Sequence, residues 1–226
     1  MKKNHSHGRS LSRRALLLGT TAGATFLLTG CPALFVGGVA VGAATALDRR
    51  TAGAQADDQI INLRSTQELG KEINDVHINV NSYNRRVLLT GEVRSAEQKA
   101  QAEAIVKRVQ NVAEVINALA IGPNTGMGSR SSDTYITGKV KAAITAVEGV
   151  SAADVKVITE RSVVYLMGIL TAREAAQVSK GVATVSGVRK VVQVFEIVTE
   201  AELQKILDHV QDVHVPEPDD DTLSRG

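Results

Sequence analysis

The chain has 226 residues, with 26 Lys and Arg against 24 Asp and Glu, a formal net charge of +2 and a pI near 8.7. It has no tryptophan, 3% aromatic residues and one cysteine, which excludes an internal disulfide and argues against a thiolate metal site or a base-stacking platform. The basic excess lies in residues 1–30, which hold five basic side chains and no acid; the remaining 21 bases against 24 acids give −3 and no support for nucleic-acid binding.

Residues 1–14 carry Lys2, Lys3, Arg9, Arg13 and Arg14, residues 15–29 are apolar or small, and Gly30-Cys31 follows. A basic region, an apolar region and a small-residue cleavage point make a secretory signal. The apolar run is too short and too rich in Gly and Thr to span a bilayer, which takes about 20 apolar residues. Leu28-Thr29-Gly30-Cys31 resembles the bacterial lipobox, whose cysteine is acylated and becomes the first residue of the mature chain. Residues 1–30 therefore read as a lipoprotein signal peptide, and Cys31 as the lipidation site. A thioether to diacylglycerol needs a thiol, which accounts for the lone cysteine. Ser12-Arg13-Arg14-Ala15-Leu16 is similar to a twin-arginine export signal, and the Sec route stays open. Pro32 stands where the enteric sorting rule has aspartate for inner-membrane retention, so the rule points to the outer membrane.

Residues 31–57 read as a lipidated linker. The stretch 33–47 (ALFVGGVAVGAATAL) is apolar but contains three glycines, an unfavourable composition for a core helix. A polar stretch from Asp48 to Asp58 follows, ending in a helix N-cap signal.

From residue 58 the chain says something twice. VNSYNRRVLLTGEVRSAEQ at 80–98 matches VITERSVVYLMGILTAREA at 157–175 with an offset of 77, pairing Val80 with Val157, Gly91 with Gly168 and Glu97 with Glu174. VQNVAEV at 109–115 matches VSGVRKV at 185–191, and Asp58 and Ile61 match Asp133 and Ile136. Each copy, 58–122 and 133–198, is long enough for a small domain, and residues 123–132 form a Gly-rich linker between them.

Within each copy the periodicity predicts helix, strand, strand, helix, strand. In copy two, Asp133 or Ser132 caps a helix whose Ile136, Val140, Ile144 and Val147 form one apolar stripe. Val155, Val157 and Thr159 alternate as a half-buried strand, a tight turn falls near Glu160-Arg161, and 162–169 is the next strand. Thr171 caps a second helix, Gly187 ends it, and Val188 to Val198 is the last strand. Copy one repeats this, with a weaker first helix because Ser65 falls where copy two has Val140. Gly91 and Gly168 interrupt β-rich strands, where glycine marks a close backbone approach, expected from a helix, or a bulge. Residues 199–226 add a C-terminal helix with Leu203, Ile206, Leu207, Val210 and Val213 on one face, then an acidic tail.

This repeat, with its LLTGEV and YLMGIL strands and trailing V-x-x-V-x-x-V, resembles the BON domain. The whole chain from the lipobox to about residue 198 is similar to dual-BON outer-membrane lipoproteins. The resemblance implies an α+β fold of two tandem BON domains, each a three-stranded mixed sheet with helices packed on one face. It also implies a periplasm-facing, outer-membrane, lipid-anchored protein that supports envelope integrity, with division sites as one place of action, and contact with anionic phospholipid through the first helix of the second domain. Soluble periplasmic stress proteins share the domain, so a stress or chaperone module remains an alternative, as does a protein-interaction adaptor using residues 199–226.

No G-x-S-x-G elbow, P-loop or dinucleotide fingerprint occurs, and His77, His209 and His214 lack metal-ligand spacing. The expectation is no enzymatic reaction, no cofactor, no metal and no small-molecule substrate, with His77 on the solvent face of a strand. Binding is the better question. Residues 58–122 are charge-neutral, whereas residues 134–198 carry eight basic and five acidic residues. On the first helix of copy two, Tyr135, Lys139, Ala142 and Ala146 line one stripe beside the core face, with Lys141 on its flank. A tyrosine ring suits the lipid–water boundary and a lysine stem can lie along lipid beneath its ammonium. These five residues are the predicted phospholipid contact, an anionic membrane is the predicted partner, and an envelope protein is a second candidate partner.

Overall fold

The computed structural model describes residues 48–212. The predicted lipidation site Cys31, the apolar linker segment 33–47 and the acidic tail lie outside them. The elements in chain order are α1 (Ala52–Glu72), β1 (His77–Tyr83), β2 (Arg86–Val93), α2 (Ala96–Lys107), β3 (Glu114–Asn117), β4 (Ala120–Ile121), α3 (Met127–Thr145), β5 (Val155–Glu160), β6 (Val163–Thr171), α4 (Ala172–Ala183), β7 (Lys190–Val198) and α5 (Glu200–Asp212).

In the first copy β1 pairs antiparallel with β2, and β3 and β4 pair parallel with β2. In the second, β5 pairs antiparallel with β6, and β7 pairs parallel with β6 over nine residues. Both are mixed α+β sheets of the expected order. The one expected strand at Val115 to Ile121 divides at Ala118-Leu119, where Leu119 turns into the core at 2% exposure.

Alternation along the strands builds three cores. One face of the first sheet (Val87, Leu89, Val93) packs on α1 and α2 through Ile61, Leu69, Ala102 and Ile105. The corresponding face of the second sheet (Val164, Leu166, Leu170) packs on α3 and α4 through Ile136, Val140, Ile144 and Val178. The opposite faces meet each other: Tyr83, Leu88, Met167, Ile169 and Val194 form a third core, with Ile206 of α5 packed against it. The domains are therefore joined sheet to sheet in a helix–sheet–sheet–helix stack. The apolar face of the C-terminal helix, which the alternative adaptor reading offers as a partner surface, is used inside the chain, where Leu203 is 6% exposed.

Both first helices begin upstream of the aspartates expected to cap them. Thr51 caps α1, its hydroxyl accepting from Ala54 N, and α3 starts at Met127 after an uncapped Gly126. Part of each expected linker is thus helical. Asp58 and Asp133 instead serve the β-hairpin turns. Asn84 and Arg85, and Arg161 and Ser162, all have positive φ without being glycine, a costly arrangement that a two-residue hairpin requires. Asp58 accepts the Asn84 and Arg85 N–H groups at 2.7 and 2.8 Å, and Asp133 accepts those of Arg161 and Ser162 at 2.8 Å each. The repeat had marked the right residues, with a different role.

Gly91 and Gly168 also differ from expectation in their neighbour. A Cβ on Gly168 would lie 2.6 Å from Asp154 O, and one on Gly91, at φ +108°, would collide with His77 O. The close approach is by the adjacent strand, not by a helix. Ser65 is fully buried and its hydroxyl has no hydrogen-bond partner, which explains the weak apolar stripe of α1.

Candidate functional site

The predicted lipid-facing residues lie on or just after α3, whose opposite face is pinned in the core by Ile136, Val140 and Ile144. Tyr135 is 70% exposed, so it does not pack between the domains. Lys141, Ala142 and Ala146 are exposed, with Ala146 at the helix C-cap. Lys139 is half-buried: its ammonium lies 4.8 Å from the centroid of the Tyr135 ring and donates to the Ser186 carbonyl. That contact uses one of three ammonium donors. Met127 at the start of the helix is 76% exposed and was not anticipated; an exposed methionine beside a Gly-rich linker carries no distinguishing sequence signal.

Burial sharpens the charge difference between the copies. Four of the six acids of copy two, Asp133, Asp154, Glu160 and Glu174, are under 9% exposed. Of its eight bases only Lys139 and Lys156 are half-buried, Lys156 at the domain seam and donating to Ser82 O at 3.1 Å. Burial pushes the Lys156 ammonium down, with Arg50 nearby adding to the effect. The surface of the second domain is thus more basic than its formal charge. Arg161 and Arg189 flank an open hollow beside the start of α3, shared with Asn124 and Ser129.

Two polar clusters close the seam, and sequence reading anticipated neither. At one end Arg49, 6% exposed, reaches from ahead of α1 into the second domain. Its guanidinium donates to both Glu174 oxygens at 2.9 Å and to Ile169 O at 2.9 Å, and its Nε lies 3.3 Å from Asp154. Burial alone would raise Glu174, but the hydrogen bonds from Arg49 and Thr171 outweigh it and hold the carboxyl below its ordinary range. Asp154 goes the other way, pushed up by burial with Arg49 only partly offsetting it. Arg50 pairs with Asp48 and Asp58 at 2.7 Å each and lies 4.3 Å from the Tyr83 ring centroid. The polar stretch expected to be a linker is a two-pronged staple, Arg50 gripping the first domain and Arg49 the second.

At the other end His77, directly across β1–β2 from Glu92, donates from Nδ1 to Glu92 Oε2 at 3.0 Å. Glu160, from the second domain, accepts from Asn79 Nδ2 at 2.9 Å. Glu92 is fully buried and also accepts from Thr125 N at 3.1 Å and from the Thr125 hydroxyl. His77 therefore faces the second domain, not solvent as the alternation suggested. Strand alternation assigns a side chain to one of two faces; that the second face was covered by another domain was not legible.

The BON domain family model matches residues 57–123 and 132–213. The outer membrane lipoprotein DolP of Haemophilus influenzae is 38% identical over 189 residues, covering 82% of this chain and 96% of that protein. The 21 kDa hemolysin of Actinobacillus pleuropneumoniae is 34% identical over 155 residues, covering 67% of this chain and 80% of that one. Among solved structures, the type III secretion protein CdsD of Chlamydia trachomatis aligns over 69% of this chain and 98% of its own, at 13% identity and a TM-score of 0.27, a likeness too loose to carry an argument.

Proposed function

We propose, for a chain that belongs to the BON-domain family and is a dual-BON protein similar to DolP, a non-enzymatic role as an envelope lipoprotein anchored through Cys31. Its second BON domain binds anionic phospholipid through α3, and the protein supports outer-membrane integrity, including at division sites. One observation carries this reading: Tyr135, 70% exposed, stands beside Lys139 on the outward face of α3, in the domain that buries most of its acids and exposes most of its bases. The equivalent helix of the first domain has Ile60 and Arg64 at these places, followed by Glu68 and Glu72, which an anionic surface repels.

The physics is additive and weak per contact. Each Lys or Arg near an anionic surface contributes about 1 kcal/mol, and the acyl anchor supplies the local concentration that makes a few such contacts sufficient. Asp48 is seventeen chain steps from Cys31, and fully extended that span reaches at most about 60 Å. That length leaves α3 free to approach the bilayer while the staple fixes where the tether meets the folded domains.

Co-sedimentation of the soluble chain from residue 32 with phosphatidylglycerol vesicles, against phosphatidylcholine vesicles, tests the proposal. Binding is expected to the anionic vesicles, falling as salt rises. Tyr135→Ala with Lys139→Glu changes the local charge by two and is expected to weaken it about 30-fold. Equal binding to both vesicle types, or an unaffected double variant, would falsify it.

A further inference from the structure

We propose that the domain seam is a binding site for one divalent first-row transition-metal cation, of which Zn²⁺ is the type, ligated by His77, Glu92 and Glu160. An imidazole nitrogen and one oxygen from each carboxylate lie within 4.8 Å of one another. Zinc–ligand bonds of about 2.1 Å put tetrahedral ligands about 3.4 Å apart, and the 3.0 Å between His77 Nδ1 and Glu92 Oε2 needs only a small opening to reach that spacing. Side-chain rotation brings Glu160 the remaining distance. His77 keeps partial solvent exposure, with 18% of its side chain accessible, which leaves a path for the ion and a water as fourth ligand.

The repeat itself supplies the argument for a cation. Under the offset of 77, His77, Glu92 and Glu160 correspond to Asp154, Ile169 and Tyr83 at the opposite end of the seam. The contacts exchange accordingly: Tyr83 meets Asp154 there, its hydroxyl 3.4 Å from the backbone oxygen, as Glu160 meets His77 here. At that opposite end the buried carboxylates of Asp154 and Glu174 surround a guanidinium, that of Arg49. At this end two carboxylates, one fully buried and one 8% exposed, face each other with no Lys or Arg paired to them among the described residues. Buried charge without a counter-ion is costly, and an imidazole with two carboxylates is the donor set of a borderline divalent metal.

A second observation comes from Thr90. It lies on the same face of β2 as Glu92, directly opposite Asn79, and is fully buried. Its hydroxyl has no hydrogen-bond partner, although buried polar atoms are nearly always satisfied. Asn79 Nδ2 lies 2.9 Å from Glu160 and 3.3 Å from His77 Nε2, beside both ligands; with Nδ1 on the metal the proton sits on Nε2, and the Asn79 amide, turned over, accepts it through its oxygen. An ion here ties β1 and β2 of the first domain to β5 of the second, as Arg49 and Arg50 tie the other end.

The test uses the untagged chain from residue 32, stripped with chelator and titrated with Zn²⁺ by calorimetry and thermal melting. One equivalent is expected to bind and raise Tm, with Mg²⁺ giving no such rise. Glu160→Gln removes a ligand and a buried acid, so the metal-free variant should fold at least as well as the parent. Its Zn²⁺ affinity is expected to fall by more than about tenfold, and His77→Ala should lose the Tm response likewise. Equal Zn²⁺ affinity in parent and Glu160→Gln, or no uptake by the parent, overturns the site. Binding abolished instead by deleting residues 213–226, which include His214, would also overturn it.

Discussion

Replacing Arg49 with alanine removes a cation whose guanidinium makes three hydrogen bonds of 2.9 Å in a setting only 6% exposed. The variant leaves Glu174 and Asp154 buried without a positive partner. Breaking a buried ion pair from one side costs about 3–5 kcal/mol. Arg49 lies only three residues before α1, so local fraying can admit water and holds the cost near the lower end, about 3 kcal/mol. For a folded unit of this size each kcal/mol moves Tm by about 2–4 °C, so a fall of about 6–12 °C is expected. Urea unfolding of Arg49→Ala, Glu174→Gln and the double variant isolates the pair. A coupling of at least about 1 kcal/mol is expected, in the range for directly bonded residues. If Arg49→Ala unfolds within about 0.5 kcal/mol of the parent and the coupling vanishes, the staple contributes nothing and the reasoning is wrong.

The same clamp should respond to acid. Because Glu174 is held below its unfolded value of about 4.3, its contribution is present above that pH and is lost as pH falls through the folded value. Asp154, raised by burial, opposes folding when charged and relaxes as pH falls. The parent's stability advantage over Glu174→Gln should therefore shrink below about pH 4; a pH-independent difference would count against it. Ser65→Ala removes a buried hydroxyl without a partner and is expected to stabilise by about 1 kcal/mol in chemical denaturation, whereas a loss of stability would mean the hydroxyl is satisfied. Asp133→Ala strips the acceptor from two left-handed turn residues and should cost about 2 kcal/mol or more, measured the same way. Gly91→Ala should be worse tolerated than Gly168→Ala, because it adds a positive φ to the collision with the neighbouring strand; equal stabilities would remove φ from the explanation.

Much of the architecture was legible because it rests on short-range periodicity. Alternating valines fixed the strands, the three-to-four spacing of Ile136, Val140 and Ile144 fixed the inward face of α3, and the 77-residue offset fixed that there are two copies. The exposed stripe at Tyr135 follows from the same rule, since a helix with one buried face must show the other. What periodicity cannot say is what lies beyond a strand's second face. That the two sheets cover each other was a tertiary outcome, and it brought Glu160 onto His77 and Glu92, which the β1–β2 ladder already sets side by side. It also turned a polar run before the first domain into a staple, because Arg49 meets Glu174 from 125 positions away in sequence. Sequence determines which side chains each local element offers to its two faces; only the packing of one domain on the other decides which of those offers meet, since charge pairing and burial depend on distance through space.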